Sequence, residues 1–169
     1  MKWQWHFWLL TVLGVFILHL TVAGNIAIFQ SSPNFLLLAT VFFAVRGGPV
    51  RGEILGFIWG ILSDISSTSI FGSQAFMYTF IGYIVGKLER MVDENKLSAQ
   101  MVLVLVMSFL NLAGLAFFET LFTGSAQRFK DSYGFLTPFY STLLCPLFFW
   151  VLFKWSALFR RTDLKVKAL

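Results

Sequence analysis

The chain has 169 residues, 57% of them hydrophobic and 18% aromatic against only 12% charged, with a mean hydropathy of +0.76. A soluble domain of this length needs a far larger polar shell, so the composition places the chain in a bilayer. Its net charge of +5 does not mark nucleic-acid binding, because Lys and Arg sit between apolar runs and build no basic face. Cys145 is the single cysteine and stands in an apolar run, which excludes an intrachain disulfide and a Cys/His metal cluster.

The pattern predicts an all-α integral membrane protein, one multi-pass domain over residues 1–169, with helices at about 5–29, 33–46, 50–65, 72–88, 97–122 and 136–159. The first run follows Met1-Lys2 and carries a faint cleavage-like Val22-Ala23-Gly24. It is longer than a signal-peptide core and more spans follow, so it is expected to stay as an uncleaved helix. The second segment opens at Ser32-Pro33, a capping residue with proline at the first helical position. It stops at the tight basic turn Arg46-Gly47-Gly48-Pro49, with Arg51 just beyond.

The third segment runs from Val50 to Asp64. Both it and the second are shorter than the roughly 20 residues that span hydrocarbon, so they are expected to thin the bilayer or to form a hairpin sheltered by neighbours. A Ser66–Ser69 loop precedes the fourth helix, and a charged connector with Glu89, Arg90, Asp93, Glu94 and Lys96 follows it. The fifth helix ends near Phe122. The sixth starts near Thr137-Pro138 and is expected to bend at Pro146, where neighbouring groups satisfy the freed carbonyl.

Charge sets the expected orientation. In a six-span arrangement only Arg128 and Lys130 fall on one side, while Lys2, Arg46, Arg51, Lys87, Arg90, Lys96, Lys154, Arg160, Arg161, Lys165 and Lys167 fall on the other. The insertion machinery reads that bias, so both termini are expected in the cytoplasm. Trp3, Trp5, Trp8, Trp150 and Trp155 suit an aromatic belt on the same face.

Two stripes of small residues stand out, Gly52-Gly56-Gly60 and Gly82-Gly86, at four-residue spacing. In lipid such stripes let helix backbones approach closely, either within the subunit or against another membrane protein. Asp64 continues the first stripe by one more turn. Near the outer interface, where the cost of a charge fades, it is expected to cap or order a loop; a cation, a partner's Arg or a neighbouring helix are its functional readings. Glu53 suits the positive end of a helix dipole.

His19, Asp64 and Glu119 are too dispersed in sequence to form a proton relay. The basic tail from Arg160 to Lys167 is accounted for by anionic lipid headgroups at the cytoplasmic face, ahead of a cytoplasmic partner. With no GxSxG, HExxH or Walker loop and two histidines in all, no enzyme, cofactor or metal is expected.

An ordered set of motifs carries a family resemblance. It comprises Pro33-Asn34 before a leucine run, the Arg46–Pro49 turn, Gly56-Phe57-x-x-Gly60-x-x-x-Asp64, Gly72-x-x-Ala75 and Tyr78-x-x-x-Gly82-Tyr83-x-x-Gly86, with Thr142-Leu143-Leu144-x-Pro146 near the end. This set resembles the MreD family of rod shape-determining membrane proteins. The resemblance implies a non-catalytic subunit of the cell-elongation complex in the bacterial inner membrane, with MreC as the usual partner. It also implies association with the MreB filament, the RodA glycosyltransferase and its transpeptidase. The fold it implies is a six-helix bundle similar to the substrate-binding subunits of energy-coupling-factor transporters. The rival reading is such a transporter subunit itself, with Asn25, Gln30, Asn34, Gln74, Glu119 and Gln127 as candidate lining for an outward pocket.

Overall fold

The computed structural model describes residues 2–25, 32–67, 70–88, 97–124 and 135–166, and every regular element among them is helical. In chain order these are α1 (Lys2–Asn25), α2 (Phe35–Ser66), α3 (Ser73–Lys87), α4 (Leu97–Thr123) and α5 (Leu136–Val166). Among the described residues, three segments are long and apolar enough to cross a membrane: Phe35–Ser66, Ser98–Thr123 and Leu136–Ala157.

Helix α2 is broken at Gly48, whose φ of 78° lies in the left-handed region, and Pro49 follows at once. Glycine adopts that conformation without a side-chain clash, and proline then suits the first turn of the new helix. The break reverses the chain. The Phe43 and Trp59 rings lie 5.6 Å apart, although sixteen residues of straight helix extend about 24 Å. The expected segments 33–46 and 50–65 correspond to the two arms of this hairpin, 35–47 and 49–66.

Every residue from Phe35 to Val45 is buried. A helix that is apolar all round belongs at the centre of a bundle, and this arm occupies it. Phe35 and Phe42 meet Phe148 and Phe149 of α5 with ring centroids 5.4 and 5.2 Å apart. The one polar side chain within the run, Thr40, donates to the Leu36 carbonyl of its own helix at 2.9 Å. On the flanks, the buried Thr11 of α1 accepts from the Trp155 indole N–H of α5 at 3.1 Å. Helix α4 reaches α3 through Phe118 on Phe76, and α5 through Phe109 on Phe139, both at 5.5 Å.

The start of α2 corrects the expected cap. Asn34, rather than Ser32-Pro33, is the N-cap: its Oδ1 accepts the Leu37 N–H at 3.0 Å, while its Nδ2 donates to the Tyr78 hydroxyl of α3 at 2.6 Å. The Asn34 backbone N–H donates to Ser141 Oγ of α5 at 3.1 Å. An amide offers an acceptor and donors at once, which a serine hydroxyl at position 32 could not direct to both places. One residue therefore joins three helices.

Helix α5 continues to Val166 instead of ending near Phe159, because Arg160 to Val166 contain no glycine or proline to stop it. The expected end of the first helix at Phe29, the connectors 89–96 and 125–134, and with them Arg128 and Lys130, lie outside the described residues.

This junction is testable. Tyr78→Phe removes one interhelical bond and is expected to lower stability by about 0.6–1.7 kcal/mol. Asn34→Ala removes the cap as well, adding about 1 kcal/mol. Thermal unfolding in detergent ranks the two, and equal losses would contradict a shared role for the Asn34 side chain.

A glycine-lined helix contact as the candidate site

The second arm of α2 lies against α3 at backbone contact. A Cβ placed on Gly52 would collide with the Gly82 carbonyl, one on Gly56 with the Tyr78 carbonyl, and one on Gly60 with the Ala75 backbone. From the other side, Gly82 meets the Gly52 carbonyl and Gly86 meets Pro49. The two stripes are thus two sides of one antiparallel contact, which explains why α3 needs its glycines at the end where the α2 hairpin turns. Outside the contact, Ile54 and Phe57 of the arm and Phe76 and Phe80 of α3 are exposed.

The contact closes at its far end on Asp64. This carboxylate is 3% exposed, and its oxygens accept three backbone N–H groups, from Gly72, Gln74 and Ala75, each at 3.0 Å. Helix α3 starts on Gly72, which has φ 93° and no side-chain oxygen to cap its own helix. Asp64 supplies that cap from the preceding helix, and the positive end of the α3 dipole stabilises its charge. The carboxylate is enclosed because the chain turns back over it within eight residues.

At the opposite end the basic turn is wrapped in rings. The Arg46 guanidinium lies 4.9 Å from the Phe42 centroid and 4.7 Å from that of Phe153 on α5. The Arg51 aliphatic chain covers Gly47, and Lys87 at the end of α3 stands 4.6 Å from the Tyr83 ring. Pro146 lies within α5, which runs through it without a break. Asp64 and Glu119 are held on different helices, and the Asp64 oxygens are occupied by backbone. Among the described residues no group of His, Cys, Asp and Glu could hold a metal ion.

Of the polar residues named for an outward pocket, Asn34 is taken up in the three-helix junction and Gln74 is buried. Gln30 and Gln127 lie outside the described residues. Sequence reasoning missed the junction of Asn34, Tyr78 and Ser141. A signal was present for the cap alone, since an asparagine directly before a long apolar run is a strong N-cap pattern.

A hairpin and helix drawn to backbone contact inside an apolar helical bundle defines an all-helical membrane protein whose recognisable residues serve packing. Its family follows from comparison. The family model described as rod shape-determining protein MreD matches residues 1–156, and the chain belongs to the MreD family. Over 79 residues it is 28% identical to the rod shape-determining protein MreD of Bacillus subtilis (strain 168), a match covering 47% of this chain and 46% of that protein. No solved structure matches the chain significantly.

The contact makes opposite predictions for glycines that look alike in sequence. Gly82→Ala forces a methyl into the Gly52 carbonyl and is expected to cost about 1–3 kcal/mol. Gly14→Ala meets open space on α1 and is expected to gain up to about 1 kcal/mol of helix propensity. Asp64→Asn keeps the shape but turns an N–H₂ toward backbone donors, with an expected loss of about 1–3 kcal/mol. Thermal unfolding in one detergent tests all three, and a Gly82→Ala protein as stable as wild type would contradict the contact.

Proposed function

We propose that this chain is a non-catalytic, multi-pass subunit of the bacterial cell-elongation complex in the inner membrane, binding MreC and helping to couple the MreB filament to the RodA glycosyltransferase and its transpeptidase. The observation that carries the reading is the family match across residues 1–156. The geometry supports a scaffold role: the glycine stripes and Asp64 build a stiff α2–α3 unit, and the outer faces with Ile54, Phe57, Phe76 and Phe80 remain available to a partner's membrane helix.

Six crossings with both termini in the cytoplasm belong to the same proposal. The reversal at Gly48 supports counting the two arms of α2 separately. The gathering of Arg46, Arg51, Lys87 and Lys154 at one end supports placing that end in the cytoplasm. Kinship with the substrate-binding subunits of energy-coupling-factor transporters rests on the family resemblance alone.

Co-purification in mild detergent tests the reading. Wild-type protein is expected to retain co-expressed MreC, and Gly60→Leu to lose it together with thermal stability, since a leucine cannot fit against Ala75. If MreC is not retained while both proteins are folded, the scaffold reading fails.

A further inference from the structure

One flank of the bundle is built from helices shorter than a bilayer is thick. The first arm of α2 is enclosed by protein, so its shortness does not meet lipid. The second arm and α3 are not enclosed: Ile54, Phe57, Phe76 and Phe80 are 56%, 51%, 59% and 45% exposed. On the second arm this apolar surface runs between the exposed Arg51 and the exposed Ser66, about 22 Å of helix. Helix α3 has 15 residues, again about 22 Å, and ends at the exposed Lys87. Stagger does not lengthen the pair. Gly52 lies against Gly82, Gly60 against Ala75 and Pro49 against Gly86, so the two helices begin and end together. By contrast, the apolar spans Ser98–Thr123 of α4 and Leu136–Ala157 of α5 have 26 and 22 residues, about 39 and 33 Å.

We infer that the surface made by the second arm of α2 and α3 is a bilayer-thinning flank, covered by lipid whose acyl chains are drawn in to match it. The inference rests on the reading, proposed above, that each arm of α2 crosses separately. A hydrocarbon core is about 30 Å thick, which leaves a shortfall of about 8 Å along this flank. Tilt shortens the projection of a helix further and does not close the gap. The two ends of the pair differ in what they can do about it. At one end Arg51 and Lys87 have long side chains that reach headgroups from below. At the other end stand Ser66, Ser67 and the turn whose backbone N–H groups Asp64 collects, and none of these has such reach. The thinning is therefore concentrated in the leaflet that meets Ser66.

Nitroxide depth measurements test this on the full-length chain carrying Cys145→Ala, reconstituted in dimyristoleoyl- or dioleoylphosphatidylcholine vesicles. One label is placed through Ile65→Cys at the Ser66 end of the flank, and another through Val106→Cys near the middle of the α4 span. Both positions are lipid-facing, 66% and 53% exposed, so labelling leaves the core intact. Relaxation by oxygen and by a nickel chelate gives the depth of each. In the thicker dioleoyl bilayer the Val106 label is expected to read deeper, while the Ile65 label stays at the hydrocarbon edge because the lipid follows the protein. An Ile65 label that deepens as much as the Val106 label would overturn the thinning. An impermeant thiol reagent on Arg51→Cys and Ser66→Cys reports the side of each end. Both ends on one side would overturn the separate crossing and this inference with it, whereas opposite sides with a sinking Ile65 label would overturn the inference alone.

Discussion

Backbone contact between the second arm of α2 and α3 is the constraint from which the other features follow. In lipid, apolar side chains gain nothing by leaving the solvent, so two helices hold together through dispersion, polar contacts and the closeness of their axes. Removing Cβ at Gly52, Gly56, Gly60, Gly82 and Gly86 brings main chain to main chain along the whole pair. Each end of the contact then needs closing. The left-handed Gly48 and Pro49 turn the chain at one end, and the Asp64 carboxylate fastens the start of α3 at the other.

Several hydroxyls find their partner within their own helix, as Thr40, Thr79 and Thr142 do, whereas the buried Ser108 Oγ and Asn111 Oδ1 have none among the described residues. Other bonds join helices: Asn34 to Tyr78 and Ser141, Trp155 to Thr11, and Asp64 to the first turn of α3. These few bonds carry orientation, while the aromatic contacts of the first arm of α2 carry bulk.

Composition was enough to make the class legible, since 57% hydrophobic residues leave no room for a polar shell. Glycine spacing was visible too, but spacing does not say what a glycine faces: Gly14 meets open space while Gly82 meets a carbonyl. Asp64 shows where linear reading runs out. Its place at the end of the apolar segment suggested a capping or loop-ordering carboxylate, but its enclosure depends on a turn that returns Gly72, Gln74 and Ala75 onto it. The Asn34 junction was beyond reach for a similar reason, because its Ser141 partner lies 107 residues away. The break at Gly48 was legible as a turn in the Arg46-Gly47-Gly48-Pro49 sequence, but not the packing of its two arms against each other.

The enclosure of the first arm of α2 also bears on how the protein is made. That arm is released from the ribosome early, yet its Phe35, Phe42 and Asn34 find their α5 partners only after the last third of the chain has been translated. Until then a helix destined for the centre stands against lipid, secured on one flank by its own hairpin. Helix α5 acts as the closing stave, and nascent chains lacking it present quality-control proteases with an opened bundle in which Phe35 and Phe42 lie bare and the Asn34 backbone amide has lost Ser141.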